Sequence, residues 1–263
     1  MAARSIWKGV LSFDSASLPV KLYSSAQDRS VRFRLLHDQD MAPVRQHMVN
    51  PQTGKKVAPE DIERGVEVEP GVFVILGKED LASVEPEPSR AIEITRFVPR
   101  GEIGHQWYQR PYYLGPDEGA REDYWALAAA LEESGREGIA RWVMRKQEYA
   151  GALRLHEGYL MLITLRHQGE VISSSDLEPP GGRALSAKEL KMAEQLVAAL
   201  EDEFRPDEYR DEFRDRVLEL IEKKARGEKI TLRKPVAKKT EGSLTDALSA
   251  SLAAVRKKGK SRG

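Results

Sequence analysis

The chain of 263 residues contains no cysteine. Disulfide bonds, thiol chemistry and cysteine-ligated zinc are therefore excluded. Long apolar runs are also missing, because the longest, near residues 127 and 160, fall far short of the roughly 20 residues that span a bilayer. The first residues lack the apolar stretch of a secretory signal. We therefore expect a soluble, cytoplasmic protein with no membrane partner.

Signatures of catalysis are scarce as well. The glycine-lysine segments at 53–56 and 77–80 lack the spacing of a phosphate-binding loop and open no recognisable strand-to-helix turn, so we interpret both as ordinary turns. Neither a Gly-x-Ser-x-Gly elbow nor a His-Glu-x-x-His helix occurs. The five histidines show no compact metal-ligand spacing. We predict no catalytic residue, no metal site and no cofactor, and we interpret the chain first as a binding protein.

Charged residues, by contrast, are abundant and unevenly placed. Lysine and arginine together number 42, as do aspartate and glutamate, so the formal net charge is zero. Residues 229–263 nevertheless hold ten basic residues against Glu241 and Asp246, a net charge of +8, which leaves −8 on residues 1–228. A basic tail on a mildly acidic body indicates a polyanionic partner, and nucleic acid is the obvious candidate.

Residues 9 to about 172 show the apolar alternation of short β-strands separated by turn residues. So many short strands favour a barrel or a sandwich. The predicted strands are 9–13, 19–24, 31–37, 72–76, 91–98, 110–114, 138–146, 152–155 and 158–165.

The clearest alternation is in the segment VRFRLLH. Val31, Phe33 and Leu35 alternate there with Arg32 and Arg34, which predicts one buried apolar face and one positive face. The two arginines either bind a polyanion or are solvated or ion-paired surface cations, and the alternation does not decide between these readings.

Helical patterns appear in two places. One helix is predicted inside the strand region, over 117–134, with Gly135 as its left-handed cap. After a segment rich in proline and glycine at 173–183, Ser186 and Glu189 make the capping box of a further helix.

A last predicted helix runs from near 206 to near 227, and its polar face is acidic. Residues 229–263 follow as a largely disordered basic tail that contains a short amphipathic segment at 243–255.

Seven segments, in this order, resemble the prokaryotic Ku proteins of non-homologous end joining. They are PVKLYS (19–24), TGKKVAPEDIERGVEV (53–68), FVILGKEDL (73–81), AIEITRFV (91–98), RPYYLGPDEGA (110–120), GIARWVMRKQEYAGALR (138–154) and LITLRHQGEV (162–171). The resemblance implies a mixed β and α fold, with a Ku-type β-barrel core, an extended strand arm that forms a dimeric ring, C-terminal helices and a disordered basic tail.

Three parts follow from the resemblance. Residues 1–180 would form the barrel core, including a DNA-encircling arm at about 25–70 and the inserted helix. Residues 181–228 would form a helical region for dimerisation or ligase docking, and residues 229–263 the basic tail.

The resemblance further implies a function at DNA breaks. A homodimeric ring would bind linear double-stranded DNA ends without sequence specificity, and would recruit and stimulate the ATP-dependent DNA ligase D. The protein would act in the bacterial cytoplasm, associated with the nucleoid. The alternative is an enzyme that processes DNA near ends, either a nuclease or a lyase that uses a lysine amine.

The resemblance also suggests which residues carry these contacts. The predicted DNA-binding residues are Lys21, Arg32, Arg34, Arg45, Lys55, Lys56 and Arg64. Accessory contacts in the tail are predicted for Lys238, Lys239, Arg256, Lys257, Lys258 and Lys260. The predicted ligase-binding residues are Tyr209, Phe213, Arg214, Arg216 and Leu220, on a helix that either docks on the ligase or packs on the core. Aromatic residues such as Trp125 and Trp142 are interpreted as core or dimer interface, because a threaded duplex keeps its bases paired.

Overall fold

The structure, a computed structural model, describes residues 3–179 and 181–228. The chain divides into two compact units, Met1–Arg29 with Arg34–Asp176, and Ser30–Phe33 with Leu177–Gly263. The first unit contains all of the described strands and two helices, and the second contains two further helices.

The nine strands form a barrel and a separate ribbon. They are β1 (Trp7–Phe13), β2 (Ala16–Ser24), β3 (Arg64–Glu69), β4 (Val72–Leu76), β5 (Ala91–Pro99), β6 (Tyr108–Pro116), β7 (Arg136–Met144), β8 (Gln147–His156) and β9 (Tyr159–Leu165). Seven of them close into a barrel in the order β1-β2-β6-β9-β8-β7-β5, while β3 and β4 pair only with each other. Every barrel pairing is antiparallel except that of β1 with β5. The predicted barrel is therefore confirmed.

Alternate side chains of the strands point into the barrel and fill it, as the two-residue period of a strand requires. Leu18, Val20 and Leu22 of β2 all belong to this core. Trp142 of β7 stacks on its cross-strand partner Tyr149 of β8, with ring centroids 5.4 Å apart. The core interpretation is thus confirmed for Trp142, which is buried.

One predicted strand is wrong. Residues 31–37 form no strand, and the only pairing there is an isolated bridge between Leu36 and Pro43. Phe33 and Leu35, predicted to be buried, are 74% and 64% exposed. Alternation describes a two-faced segment, but a strand also needs a neighbour for its backbone hydrogen bonds, and no described strand lies beside this one. The inference that Arg32 and Arg34 leave one strand face fails with it.

Four helices complete the described structure. They are α1 (Lys78–Ser83), α2 (Arg121–Ser134), α3 (Ala187–Ala199) and α4 (Glu212–Ala225). Helix α2 is the one predicted over 117–134, and Gly135 ends it with a left-handed φ of 61°. The predicted capping box of α3 is present, since the Glu189 N–H donates to the Ser186 hydroxyl. No helix of the described part of the chain is long and apolar enough to cross a membrane.

Two helix boundaries differ from the prediction. Residues 77–80 are not a plain turn, because Gly77 follows β4 directly and caps α1, with its N–H bonded to Asp80 at 2.8 Å. The helix predicted from near 206 begins only at Glu212, after a single 3-10 turn at Pro206–Glu208. Tyr209 therefore precedes α4 instead of lying on it.

The hydroxyl of Tyr124 ties α2 to the barrel. It donates a hydrogen bond to the Leu114 carbonyl of β6 at 2.7 Å and accepts one from the Leu160 N–H of β9 at 2.8 Å. Leu114 and Leu160 face each other across the two strands, so one buried side chain satisfies a backbone group on each. Burial raises the pKa of Tyr124, which keeps the donating proton in place.

Candidate nucleic-acid interface

A long segment outside the barrel separates β2 from β5. Residues 34–76 of this segment belong to the first unit and overlap most of the arm predicted at about 25–70, and from here on the name arm means residues 34–76. Every residue of the arm is exposed or half-buried. Its first part carries no strand or α-helix, and its last part is the ribbon of β3 and β4.

Local hydrogen bonds give the first part of the arm two compact loops. In the first loop the His37 N–H donates to the Ala42 carbonyl at 2.9 Å. The hydrogen bonds that Asp40 accepts from the Ala42 N–H and from His37 lower the pKa of Asp40. In the second loop the Asn50 side chain accepts the Gln52 N–H at 2.9 Å, a turn that aspartate and asparagine favour.

These loops and the start of β3 carry most of the predicted DNA-binding residues. Arg34, Arg45, Lys55, Lys56 and Arg64 all have exposed side chains in the arm. Within the described residues none of the five makes a side-chain ion pair or hydrogen bond. Their charges are therefore available to a partner.

Arg32 belongs to the second unit, with Ser30–Phe33. Its side chain is exposed, and among the described residues it has no acidic partner within salt-bridge distance. Its role in DNA binding stays a prediction.

Lys21 has a different position. Its Nζ lies 2.6 Å from Asp117 Oδ1, while Lys8 Nζ lies 3.2 Å from Asp117 Oδ2. Lys8 and Lys21 are facing partners of β1 and β2, so one carboxylate bridges two cations that would otherwise repel each other. The hydrogen bond from Lys21 holds the pKa of Asp117 well below its usual range and raises the pKa of Lys21. This ion pair gives Lys21 a structural role in the barrel, and its DNA contact stays a prediction.

The ribbon at the end of the arm carries exposed apolar side chains on both faces. Val66 faces Val74 on one side, and Phe73 and Ile75 lie on the other. Phe73 is 60% exposed. A two-stranded ribbon is only marginally stable by itself, so further burial of these side chains would stabilise it. An exposed apolar patch of this kind marks an interaction surface. Sequence reasoning missed β3, although the alternation of Val66 and Val68 could have indicated it.

The second unit also exposes apolar side chains. Phe213 is 70% exposed, and Tyr209 packs against the Phe204 ring with centroids 5.2 Å apart. Arg214 and Arg216 lie beside Asp215 and Glu212, at 3.7 and 3.9 Å.

Leu220, which lies on α4, is partly exposed. Ligase binding by these residues stays a prediction. The predicted tail contacts lie outside the described residues, at Lys238, Lys239, Arg256, Lys257, Lys258 and Lys260.

The residues that the structure describes contain no candidate metal site. Among residues 3–179 and 181–228, no three histidine, aspartate or glutamate side chains are grouped so that they could hold an ion.

Comparison with known proteins agrees with the barrel. The family model of the Ku70/Ku80 beta-barrel domain matches residues 12–192. The chain belongs to the Ku family. It is 41% identical to the non-homologous end joining protein Ku of Anaeromyxobacter sp. (strain K), over 98% of this chain and 88% of that protein.

Other relatives match along similar lengths. The non-homologous end joining protein Ku of Archaeoglobus fulgidus is 35% identical over 96% of this Ku chain and 100% of its own length. That of Pseudomonas aeruginosa is 37% identical over 85% of this chain and 77% of its own length. The match to the Ku family does not favour the alternative of a DNA-processing lyase or nuclease.

The Asp117 ion pair predicts how stability depends on pH. A carboxylate whose folded pKa is lowered stabilises the fold above its ordinary pKa of about 4, and this contribution is lost as the pH falls further. Asp117→Asn should therefore lower the urea midpoint at neutral pH, and the gap to the wild type should narrow progressively as the pH falls below about 4. The control is Glu148→Gln, on an exposed carboxylate of β8 that makes no ion pair or side-chain hydrogen bond among the described residues. A gap that stays constant from pH 7 to pH 3 would show that Asp117 does not act through its charge.

Proposed function

We propose that this Ku chain is a DNA-end-binding scaffold without catalytic turnover of its own. It forms a homodimeric ring that admits linear duplex DNA of any sequence, and it acts in non-homologous end joining in the cytoplasm. The observation that carries the proposal is the arm, whose exposed cations have no partner among the described residues. Exposed cations can neutralise phosphates, and phosphate contacts carry no sequence information.

A ring explains how such contacts could select ends. A linear duplex can be threaded through a ring whatever its sequence, whereas a closed circle cannot. Phosphate contacts alone would not distinguish the two, because they bind the middle of a duplex as well as its end. Selection of ends then comes from topology, and affinity comes from charge.

The ribbon of β3 and β4 supports the dimer. Its two apolar faces are exposed in a single chain, and burial against a second copy would stabilise them. The ribbon stands at the end of the cation-bearing loops, so a contact between two ribbons would join the two arms into one closed path.

The second unit supports ligase recruitment. Phe213, Leu220 and the neighbouring apolar residues of α4 form a stripe bordered by charged side chains, the pattern of a helix that lies in a partner's groove. We infer that this stripe docks on ligase D and stimulates it, while the basic tail adds phosphate contacts.

The ring predicts a preference for ends. In competition gel shifts, a linear duplex should displace a labelled linear probe, and the covalently closed circle of the same sequence should compete poorly. Linearising that circle with a restriction enzyme provides the control, since only the ends change. Equal competition by the two forms would rule out the threaded ring.

The arm cations predict the salt dependence. Arg45→Gln should lower the slope of log affinity against log salt by about 2, because each phosphate contact contributes about 0.9 and a homodimer has two copies. Anisotropy titrations at several salt concentrations measure the slope. Arg136→Gln, an exposed arginine on β7 of the barrel, should leave it unchanged. A slope that is the same for both variants would remove Arg45 from the interface.

The ribbon predicts where the dimer is held. Phe73→Asp should shift the protein to monomer in sedimentation, because a charge would be buried without a partner at the contact. Val84→Asp is the matched control, at a valine outside the ribbon that is also exposed. If Phe73→Asp remains dimeric, the two copies are held together elsewhere.

The helical stripe predicts separate effects on the ligase and on DNA. Phe213→Asp should reduce stimulation of ligase D in an end-joining assay and leave the affinity for linear duplex unchanged. Val197→Asp, at an exposed position of α3, serves as the control. If Phe213→Asp lowers the unfolding midpoint and leaves stimulation intact, the stripe packs on the protein itself.

A further inference from the structure

A cavity lies at one end of the barrel, where β6 and β8 begin and β9 ends. It has a volume of about 450 Å³, within the range of sites for small molecules. We call it the mouth cavity, and its lining residues are Gln109, Arg110, Tyr112, Gln147, Tyr149 and Thr164. All of these residues belong to the first unit.

The lining of the mouth cavity belongs to the inner face of the barrel. Tyr112 is a core residue, and Tyr149 packs against the core. Thr164 is buried and lies four residues beyond the core residue Leu160, so the two-residue period of a strand puts both on the same face. The Leu160 N–H donates to the Tyr124 hydroxyl of α2. Helix α2 and the mouth cavity therefore lie toward opposite ends of the barrel.

A β-bulge places Arg110 at this cavity. Tyr108 and Pro111 pair with β9, and between them Gln109 and Arg110 oppose the single residue Thr164. The Thr164 hydroxyl accepts the Arg110 N–H at 2.9 Å and lies 3.4 Å from the Arg110 carbonyl oxygen, so a side chain satisfies the backbone where the ladder is interrupted. Bulges of this kind re-aim side chains and are common next to functional sites.

Several hydrogen-bond donors at the cavity lack a partner within the described residues. The Arg110 guanidinium makes no ion pair or hydrogen bond there, and neither does the hydroxyl of Tyr112, a residue that is only 5% exposed. The Trp142 ring stacks on Tyr149, and its buried Nε1–H has no partner either. Buried polar groups are nearly always hydrogen-bonded, so these donors indicate an acceptor that the polypeptide does not supply.

The charge of the lining favours an anion. Among the described residues that line the cavity, Arg110 is the only charged one. The Gln147 carbonyl oxygen accepts the Tyr149 hydroxyl at 2.9 Å, which leaves the amide N–H groups of Gln147 as donors. Glu148 and Glu170 line a neighbouring depression that shares Gln147 and Tyr149. These carboxylates would repel an anion from that side, so an anion would bind at the Arg110 end.

We propose that the mouth cavity binds a small organic anion through a carboxylate or a phosphate group. The Arg110 guanidinium pairs with this group, because its planar fork matches the oxygens of either one. The Tyr112 hydroxyl and the Gln147 amide donate hydrogen bonds to the same oxygens. The cavity is larger than such a group alone, so the rest of the ligand lies against the rings of Tyr112 and Tyr149. This site does not depend on the binding of DNA ends.

Calorimetric titration of the full chain without DNA tests the site. Ribose 5-phosphate supplies a phosphate group and citrate supplies carboxylates, and each is titrated in chloride buffer of matched ionic strength. We expect saturable binding of at least one of them, with one molecule for each chain. The tighter binder identifies whether the cavity prefers phosphate or carboxylate. Because cations on the arm also attract anions, variants of the cavity must locate the binding.

Two conservative variants locate it. Arg110→Gln removes the charge and Tyr112→Phe removes only a hydroxyl, and each should weaken binding about tenfold, the effect of losing one hydrogen bond to a charged group. The matched controls are Arg141→Gln, on an exposed arginine of β7, and Tyr113→Phe, on the neighbouring residue of β6. Neither residue lines the cavity, so both variants should bind as the wild type does.

Stability without the anion provides a second readout. Tyr112→Phe should then have an unfolding midpoint at least as high as that of the wild type, because a buried hydroxyl without a partner does not stabilise a fold. With the anion present, the wild type should become the more stable of the two, since a ligand stabilises the form that binds it more tightly.

Three results would overturn the proposal. One is the lack of saturable binding of both compounds. Another is binding that Arg110→Gln and Tyr112→Phe leave as tight as their controls do, which would place the anion on other cations of the chain. The third is a lower midpoint of Tyr112→Phe in the absence of anion, which would show that the hydroxyl already has a partner. None of these results bears on whether the protein binds DNA ends.

Discussion

Closure of the barrel is the constraint on which the rest of the structure depends. The seam is short: β1 and β5 pair over three residues, from Val10 with Ala91 to Ser12 with Glu93. Gly9 stands beside the seam, where a Cβ would lie 2.8 Å from the Arg90 carbonyl oxygen. Because β1 separates β2 from β5, the arm leaves the barrel on one side of β1 and returns on the other. Because the sheet is closed, the chain can leave it to form the arm without exposing an unpaired strand edge of the barrel.

The distribution of charge follows from that architecture. On the barrel, lysines that face each other are neutralised within the fold, as Asp117 does for Lys8 and Lys21. On the arm there is no packed surface to hold a carboxylate against each cation, and Arg45 and Lys55 have no ion-pair partner in the described part of the chain. Lys8 and Lys21 thus have a structural role in the barrel, whereas the arm cations stay available.

The strands of the barrel could be predicted because their alternation is matched by neighbours that bury one face. The same alternation gave a wrong prediction at Phe33 and Leu35, because no described strand pairs with this segment. The sequence of one segment does not show whether a partner strand will lie beside it. The resemblance to Ku identified the candidate DNA-binding cations, but only the ion pairs of the folded chain show which of them lack an acidic partner among the described residues. Lys21 looks like its neighbours in sequence, and only the fold brings Asp117 to it from nearly a hundred residues away.

The position of β9 sets the order in which the barrel can form during synthesis. This strand pairs with β6 on one side and β8 on the other, so the sheet stays open until Leu165 has left the ribosome. Pairings between distant parts of the chain form slowly, and unpaired edges associate readily with other chains while they wait. The complete barrel has no free strand edge. The nascent chain still exposes the unpaired edges of β6 and β8, so it is more prone to aggregate than the complete barrel.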